Sequence, residues 1–175
     1  MTGMRIVLAL AALLAVGVSR AAEPSRSRSA AIALTGAPAT GRDGGHVDAA
    51  GARTQAGQAG VSLPDGGNFN GIRWEQGPQR IAQSELEGTL EYNAACQWLR
   101  AWRDGREGAL PGAVLQAVPD WPLLRGTESG AFVARVAADV AAGGGETATD
   151  MLRDCDASHV RESEYAISRG LLPSR

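Results

Sequence analysis

Apolar and polar positions separate most cleanly over residues 84–104, SELEGTLEYNAACQWLRAWRD. Laid out at helical spacing, Thr89, Asn93, Gln97, Arg100 and Asp104 form one polar stripe. Leu86, Leu90, Tyr92, Ala94, Ala95, Cys96, Trp98, Leu99, Ala101 and Trp102 fill most of the remaining circumference. An apolar arc that wide predicts a helix with neighbours on two or three sides. Ser84 and Glu87 have capping-box spacing. Glu85, Glu87 and Glu91 complement the positive end of the helix, and Arg100 and Arg103 its negative end. Gly105 supplies a left-handed stop. Gly88 is the weak point, costing about 1 kcal/mol relative to Ala.

Downstream, the pattern stays helical in shorter pieces. Pro111 opens AVLQAV, which ends before Pro119. Asp120 can cap a single turn through Leu124. Thr127 can cap a helix with Phe132, Val133, Val136, Ala137 and Val140 on one face, ended by Gly143-Gly144-Gly145. A further helix spans roughly 147–156, with Ala148, Met151, Leu152 and Cys155 on one side. Ser158 then caps a last helix in which Val160, Ile167 and Leu171 recur at helical spacing and Gly170 marks the stop. No internal repeat or sustained heptad occurs.

Upstream, Asp65-Gly66-Gly67 and Asn70-Gly71 have turn chemistry. Phe69, Ile72 and Trp74 have the spacing of a short extended piece, but no second strand of similar quality exists, which argues against a sheet; an irregular segment packing Phe69 or Trp74 onto the helices is expected. The fold class is therefore all-α: a small, irregular bundle of four to five helices around the 84–104 helix.

The N-terminal pattern is different. Arg5 precedes the apolar run Ile6 to Val18, and Ser19-Arg20-Ala21 places small residues for cleavage after Ala21. The run is shorter than the ~20 residues that span a bilayer, which favours a cleaved export signal over a retained anchor. Residues 22–66 are rich in Ala, Gly, Ser, Thr and Pro and lack aromatics. They read as a disordered linker, too poor in apolar surface to offset the entropy of ordering. The organisation expected is a signal peptide at 1–21, a linker at 22–66 and a helical domain at 67–175.

Composition removes several chemistries. All 17 basic residues are Arg. Without Lys there is no P-loop, no Schiff base and no Ser–Lys dyad. A formal net charge of -2 gives no case for nucleic-acid binding. A zinc centre lacks ligands, and no cofactor motif occurs.

Both Cys lie on inward faces, Cys96 on the central helix and Cys155 with Met151 and Leu152. In an exported chain this predicts a Cys96–Cys155 disulfide. The competing reading is a reactive thiol, since His159 follows Cys155 by one turn, but a cap at Ser158 would break the helix between them. His159 with Asp156 or Glu162 is the one candidate acid–base group, and no GxSxG-type elbow accompanies it. Asp150 and Asp154 share a face, but interleaved Arg153 and Arg161 mark it as salt-bridged and solvated. The run 98–106, from Trp98 through Trp102 to Arg106, interleaves indoles with Arg100 and Arg103. It reads either as core plus helix-end charges or as a dock for anionic surfaces. Asn93, Gln97 and Arg100 have no structural duty and form the candidate contact surface.

These observations lead to an exported, secreted or cell-envelope protein acting as a non-enzymatic binding module on an envelope protein or glycan. It would meet the membrane only through the signal peptide before cleavage. Two alternatives stand beside this reading: a small extracytoplasmic enzyme using His159 with a nearby carboxylate, and an anionic-surface binder through the 98–106 patch.

Overall fold

The computed structural model describes residues 45–173 except Pro78. The expected signal peptide and the first half of the expected linker lie outside the described residues. The fold is all-α, with five helices and one disulfide among the described residues. In chain order it comprises β1 (His46–Val47), α1 (Ala49–Gln58), a 3-10 turn at Trp74–Gln76, β2 (Ile81–Ala82), α2 (Gln83–Arg103), α3 (Leu110–Ala117), α4 (Glu128–Ala141) and α5 (Glu146–Ser168). Helix α2 packs on α3 and α5, and α4 packs on the same two, so the four form a closed ring.

The ring's interior is built by α2. Leu86, Leu90, Trp98 and Leu99 are each buried, as are Val114, Leu115, Val133, Val136 and Met151 from its neighbours. Burying one such side chain contributes about 1.5–3 kcal/mol. Phe69 and Trp74, and Ile72 between them, join this core from the irregular segment before α2.

Three glycine stops work as their sequence positions suggest. Gly105, Gly143 and Gly170 all have positive φ. After α2, Gly105 N–H donates to Trp102 O and Arg106 N–H to Ala101 O, the paired bonds of a Schellman motif. Gly143 and Gly170 close α4 and α5 in the same way. Thr127 caps α4, its hydroxyl oxygen accepting from Gly130 N–H at 3.0 Å.

Four expectations need correction. First, residues 45–66 were expected in the linker, yet they carry β1 and α1. Asp48 caps α1 by accepting from Gly51 N–H at 2.7 Å. The helix buries only Ala52 and Ala56, an apolar face of alanines that leaves no hydrophobic signature. Second, β1 and β2 pair antiparallel, His46 opposite Ala82, forming a two-residue sheet where none was expected. Third, the Ser84–Glu87 capping box does not form. Helix α2 starts a residue earlier, directly from β2, without a side-chain cap, and Gln83 Nε2 donates to Glu87 instead.

Fourth, α5 runs unbroken through Ser158. The Ser158 hydroxyl accepts from Arg161 Nη2 on the next turn, a contact compatible with helix. With the helix continuous, Cys155 sets the rotation of α5. Val160, five residues on, is about 140° away from it and points outward. Val160, Ile167 and Leu171 are accordingly exposed, not inward. The inward positions are Ala148, Met151, Cys155 and Ala166.

Candidate functional site: a polar groove between two cross-linked helices

Cys96 and Cys155 are bonded to each other across α2 and α5, with Cα atoms 5.3 Å apart. The reactive-thiol reading ends here, because neither sulfur is free. On the C-terminal side of this bond, the inner register of α5 between Cys155 and Ala166 passes through His159 and Glu162. The α2 stripe Asn93, Gln97 and Arg100 lies opposite. Apolar packing therefore stops at the disulfide and polar side chains take over. The result is a cavity of about 350 Å³.

Its third wall is the glycine-rich strap 65–71, DGGNFNG. Gly67 and Gly71 are there because there is no room for a Cβ. At Gly67 it would lie 2.6 Å from Gln97 Oε1, and at Gly71 it would collide with the Cβ and backbone of Glu162. The strap thus rests on α2 at one end and on α5 at the other. Asp65 N–H donates to Glu107 Oε1 at 2.8 Å, and Gln97 Nε2 donates to Asn68 O at 2.8 Å. Glu107 itself has φ 59°, a conformation disfavoured for any side-chain-bearing residue, and its carboxylate anchors the strap.

The stripe forms a directed chain of hydrogen bonds. Gln97 Nε2 donates to Asn93 Oδ1 at 2.8 Å, and Asn93 Nδ2 donates to Glu162 Oε1 at 3.0 Å. Burial pushes the Glu162 carboxyl above its ordinary pKa, against the opposing effects of Asn93 and Arg100. Desolvation likewise lowers the Arg100 guanidinium, opposed by Asp156. Arg100 Nε lies 3.2 Å from Asp156 Oδ1, yet the geometry makes no hydrogen bond. Arg103 binds both Asp104 and Asp156, which closes the rim with balanced charge. The Asp104 carboxyl is held below its usual range, chiefly by that Arg103 bond.

The predicted contact residues Asn93, Gln97 and Arg100 are thus brought together and half-buried as one wall of the groove. His159 lines the groove at its exposed edge, with Nε2 3.4 Å from Ser163 Oγ. Of the carboxylates expected near it, Glu162 accepts from Asn93, and Asp156 meets Arg100 and Arg103. The 98–106 patch does not gather at the surface. Trp98 is 1% exposed and its Nε1–H donates to Ser62 O at 2.9 Å. Trp102 is half-buried. Among the described residues no cluster of three or more His, Cys, Asp or Glu could hold a metal ion. Nor is any described helix long and apolar enough to cross a membrane.

Three features of the site escaped the sequence. Glu162 reads there only as a carboxylate near His159, not as a partner of the α2 stripe, and Gly67 and Gly71 as ordinary turn residues. Tyr92 falls in the apolar arc but is 40% exposed. The spacing Cys155–Glu162, two helical turns on one face, was the available signal for Glu162. A break placed at Ser158 conceals it. Compared with protein-family models, with curated proteins and with solved structures, the chain matches none.

Proposed function

We propose that residues 45–173 are the binding module of an exported chain, taking a ligand from the cell envelope or medium in the groove between α2, α5 and the strap. One observation carries this reading. Two helices cross-linked by a disulfide present polar side chains to each other and leave a cavity where packing alone would favour apolar contact. Export is supported by the apolar run Ile6 to Val18 behind Arg5, and by a disulfide, which persists in oxidising compartments.

The test uses the intact chain secreted from an export-competent host. The mature N-terminus is sequenced, and cleavage after Ala21 is expected. The chain is then immobilised against protein and glycan envelope fractions beside an Asn93→Leu/Glu162→Leu variant whose disulfide and thermal midpoint are checked. Retention by the native chain and its loss in the variant are expected. Equal retention by both would remove the groove from the function.

His159 beside Ser163 in the same groove favours a second reading, a small extracytoplasmic enzyme. On that reading His159→Ala abolishes turnover of a retained ligand without releasing it. A ligand recovered chemically unchanged after prolonged incubation with the native chain counts against it.

A further inference from the structure

The groove does not end at the first cavity. A second, of about 500 Å³, is lined by Ser84, Thr89, Thr127 and Ser129 and shares Tyr92, Asn93 and Glu162 with the first. The two adjoin at Tyr92, so the site is elongated and suits a ligand of several linked units. Its chemistry is specific in three respects.

The donors and acceptors are amides, hydroxyls, carboxylates and glycine backbone, spread along the groove rather than concentrated at one point. The second cavity has Glu85 and Glu162 but no cation among its lining residues. In the first, Arg100 and Arg106 are offset by Asp65, Asp104 and Glu162. A phosphate or polyanion therefore meets no surplus positive charge. Tyr92, at the junction, exposes 40% of its surface. Its ring offers a flat apolar face beside hydrogen-bonding edges. Asn93 Nδ2 donates to Glu162 Oε1, which fixes that carboxylate in the wall shared by both cavities. Ile72, Leu123 and Leu124 line the second cavity beside these hydroxyls, and neither described strand borders the groove to offer an edge that a peptide could extend.

Resting on the binding-module reading, we infer that the groove binds a short neutral oligosaccharide. One ring would lie against Tyr92, with hydroxyls bonded to Asn93, Gln97 and Glu162.

The intact chain, isotopically labelled, is titrated with neutral trisaccharides of glucose and of N-acetylglucosamine, with trigalacturonate and with trialanine. A neutral trisaccharide is expected to shift the amides of Gly67, Gly71, Tyr92 and Asn93, with an affinity unchanged between low and high salt. Tyr92→Ala, at an exposed position, is expected to weaken it about tenfold. Glu162→Gln, which keeps an acceptor and removes the charge, is expected to change it by less than about threefold. Shifts produced by trialanine or trigalacturonate alone overturn the saccharide and leave the module. Collapse of binding in Glu162→Gln points to a cationic ligand and also overturns it. Should no trisaccharide touch the groove while the envelope fraction still distinguishes the native chain from the Asn93→Leu/Glu162→Leu variant, the saccharide falls and the module stands. If neither occurs, both fall.

Discussion

The two sides of α2 are built to opposite rules. On its packed side the helix presents Leu90, Ala94, Trp98, Leu99 and Ala101, all at most 3% exposed. Toward the strap and the C-terminal half of α5 it presents Asn93, Gln97 and Arg100, half-buried and bonded across the gap. The first side closes because dispersion and burial reward filling every void. The second cannot close, because each polar group is held at hydrogen-bonding distance and the disulfide fixes the spacing. One helix thus supplies both the stability and the opening. The disulfide lies on the boundary between the two.

One residue breaks the division. Glu91 is 1% exposed within the apolar interior and accepts from Leu123 N–H at 3.1 and 3.3 Å. It holds the turn between α3 and α4 against α2. Burial raises its pKa, with Glu87 adding a like charge.

The largest expected effect lies at the boundary. Replacing both Cys96 and Cys155 by Ala is expected to cost about 4 kcal/mol for a separation of 59 residues in the chain-entropy account. Urea midpoints of native and variant chains measure it, and an unchanged midpoint would mean that the two sides hold together without the cross-link. Next come the sides themselves. Leu99→Ala is expected to cost about 2–5 kcal/mol, whereas Gln97→Ala, its two hydrogen bonds notwithstanding, is expected to cost about 1 kcal/mol. Similar losses in chemical denaturation would erase the distinction drawn between them.

The strap sharpens it further. Gly71→Ala forces a Cβ against Glu162 and is expected to cost about 1–3 kcal/mol, with faster amide exchange over residues 65–71. Gly57→Ala, which meets nothing within 4 Å in α1, is the control. It is expected to stabilise by up to about 1 kcal/mol.

The smallest effect is in the pH profile. Glu91 and Glu162 bind a proton more tightly folded than unfolded, so between 4.5 and their raised values stability falls as pH rises. Glu75 acts in the opposite sense. The Tyr165 hydroxyl, donating at 2.6 Å, and Arg53 hold its pKa at about 2, so its contribution is present above 4.5 and lost as pH falls toward 2. The thermal midpoint should therefore peak in mild acid. Glu91→Gln should flatten the limb on the neutral side and leave the acid limb intact; a profile identical to the native one would show that Glu91 does not titrate in that range.

Much of this was legible in the chain. The polar stripe on α2, the glycine stops and the Thr127 cap are set by neighbours within a turn or two, and they stand where their residue types place them. Helix α1 was not legible, because a face of alanines carries no hydrophobic contrast against Gly, Thr and Gln. Glu91 was misjudged for a related reason. Its position near a helix start suits a carboxylate in water equally well, and only the docking of the Leu123 turn removes the water. Of the groove, one wall was readable as an unassigned stripe; its partners Glu162, Tyr92 and the strap were not.

The sequence by itself determined the helix stops at Gly105, Gly143 and Gly170, the pairing of its two cysteines and which stripe of α2 is polar. Those properties follow from backbone preferences and periodicity, which act over a few residues. Only the tertiary structure decided how α5 is rotated, which side of α2 stays open and what roofs it. The rotation follows from a cross-link between residues 59 apart in sequence, and the roof from glycines whose missing Cβ atoms matter only once another helix arrives. Val160 shows the difference: its spacing is that of a core position, and the bond at Cys155 turns it to solvent.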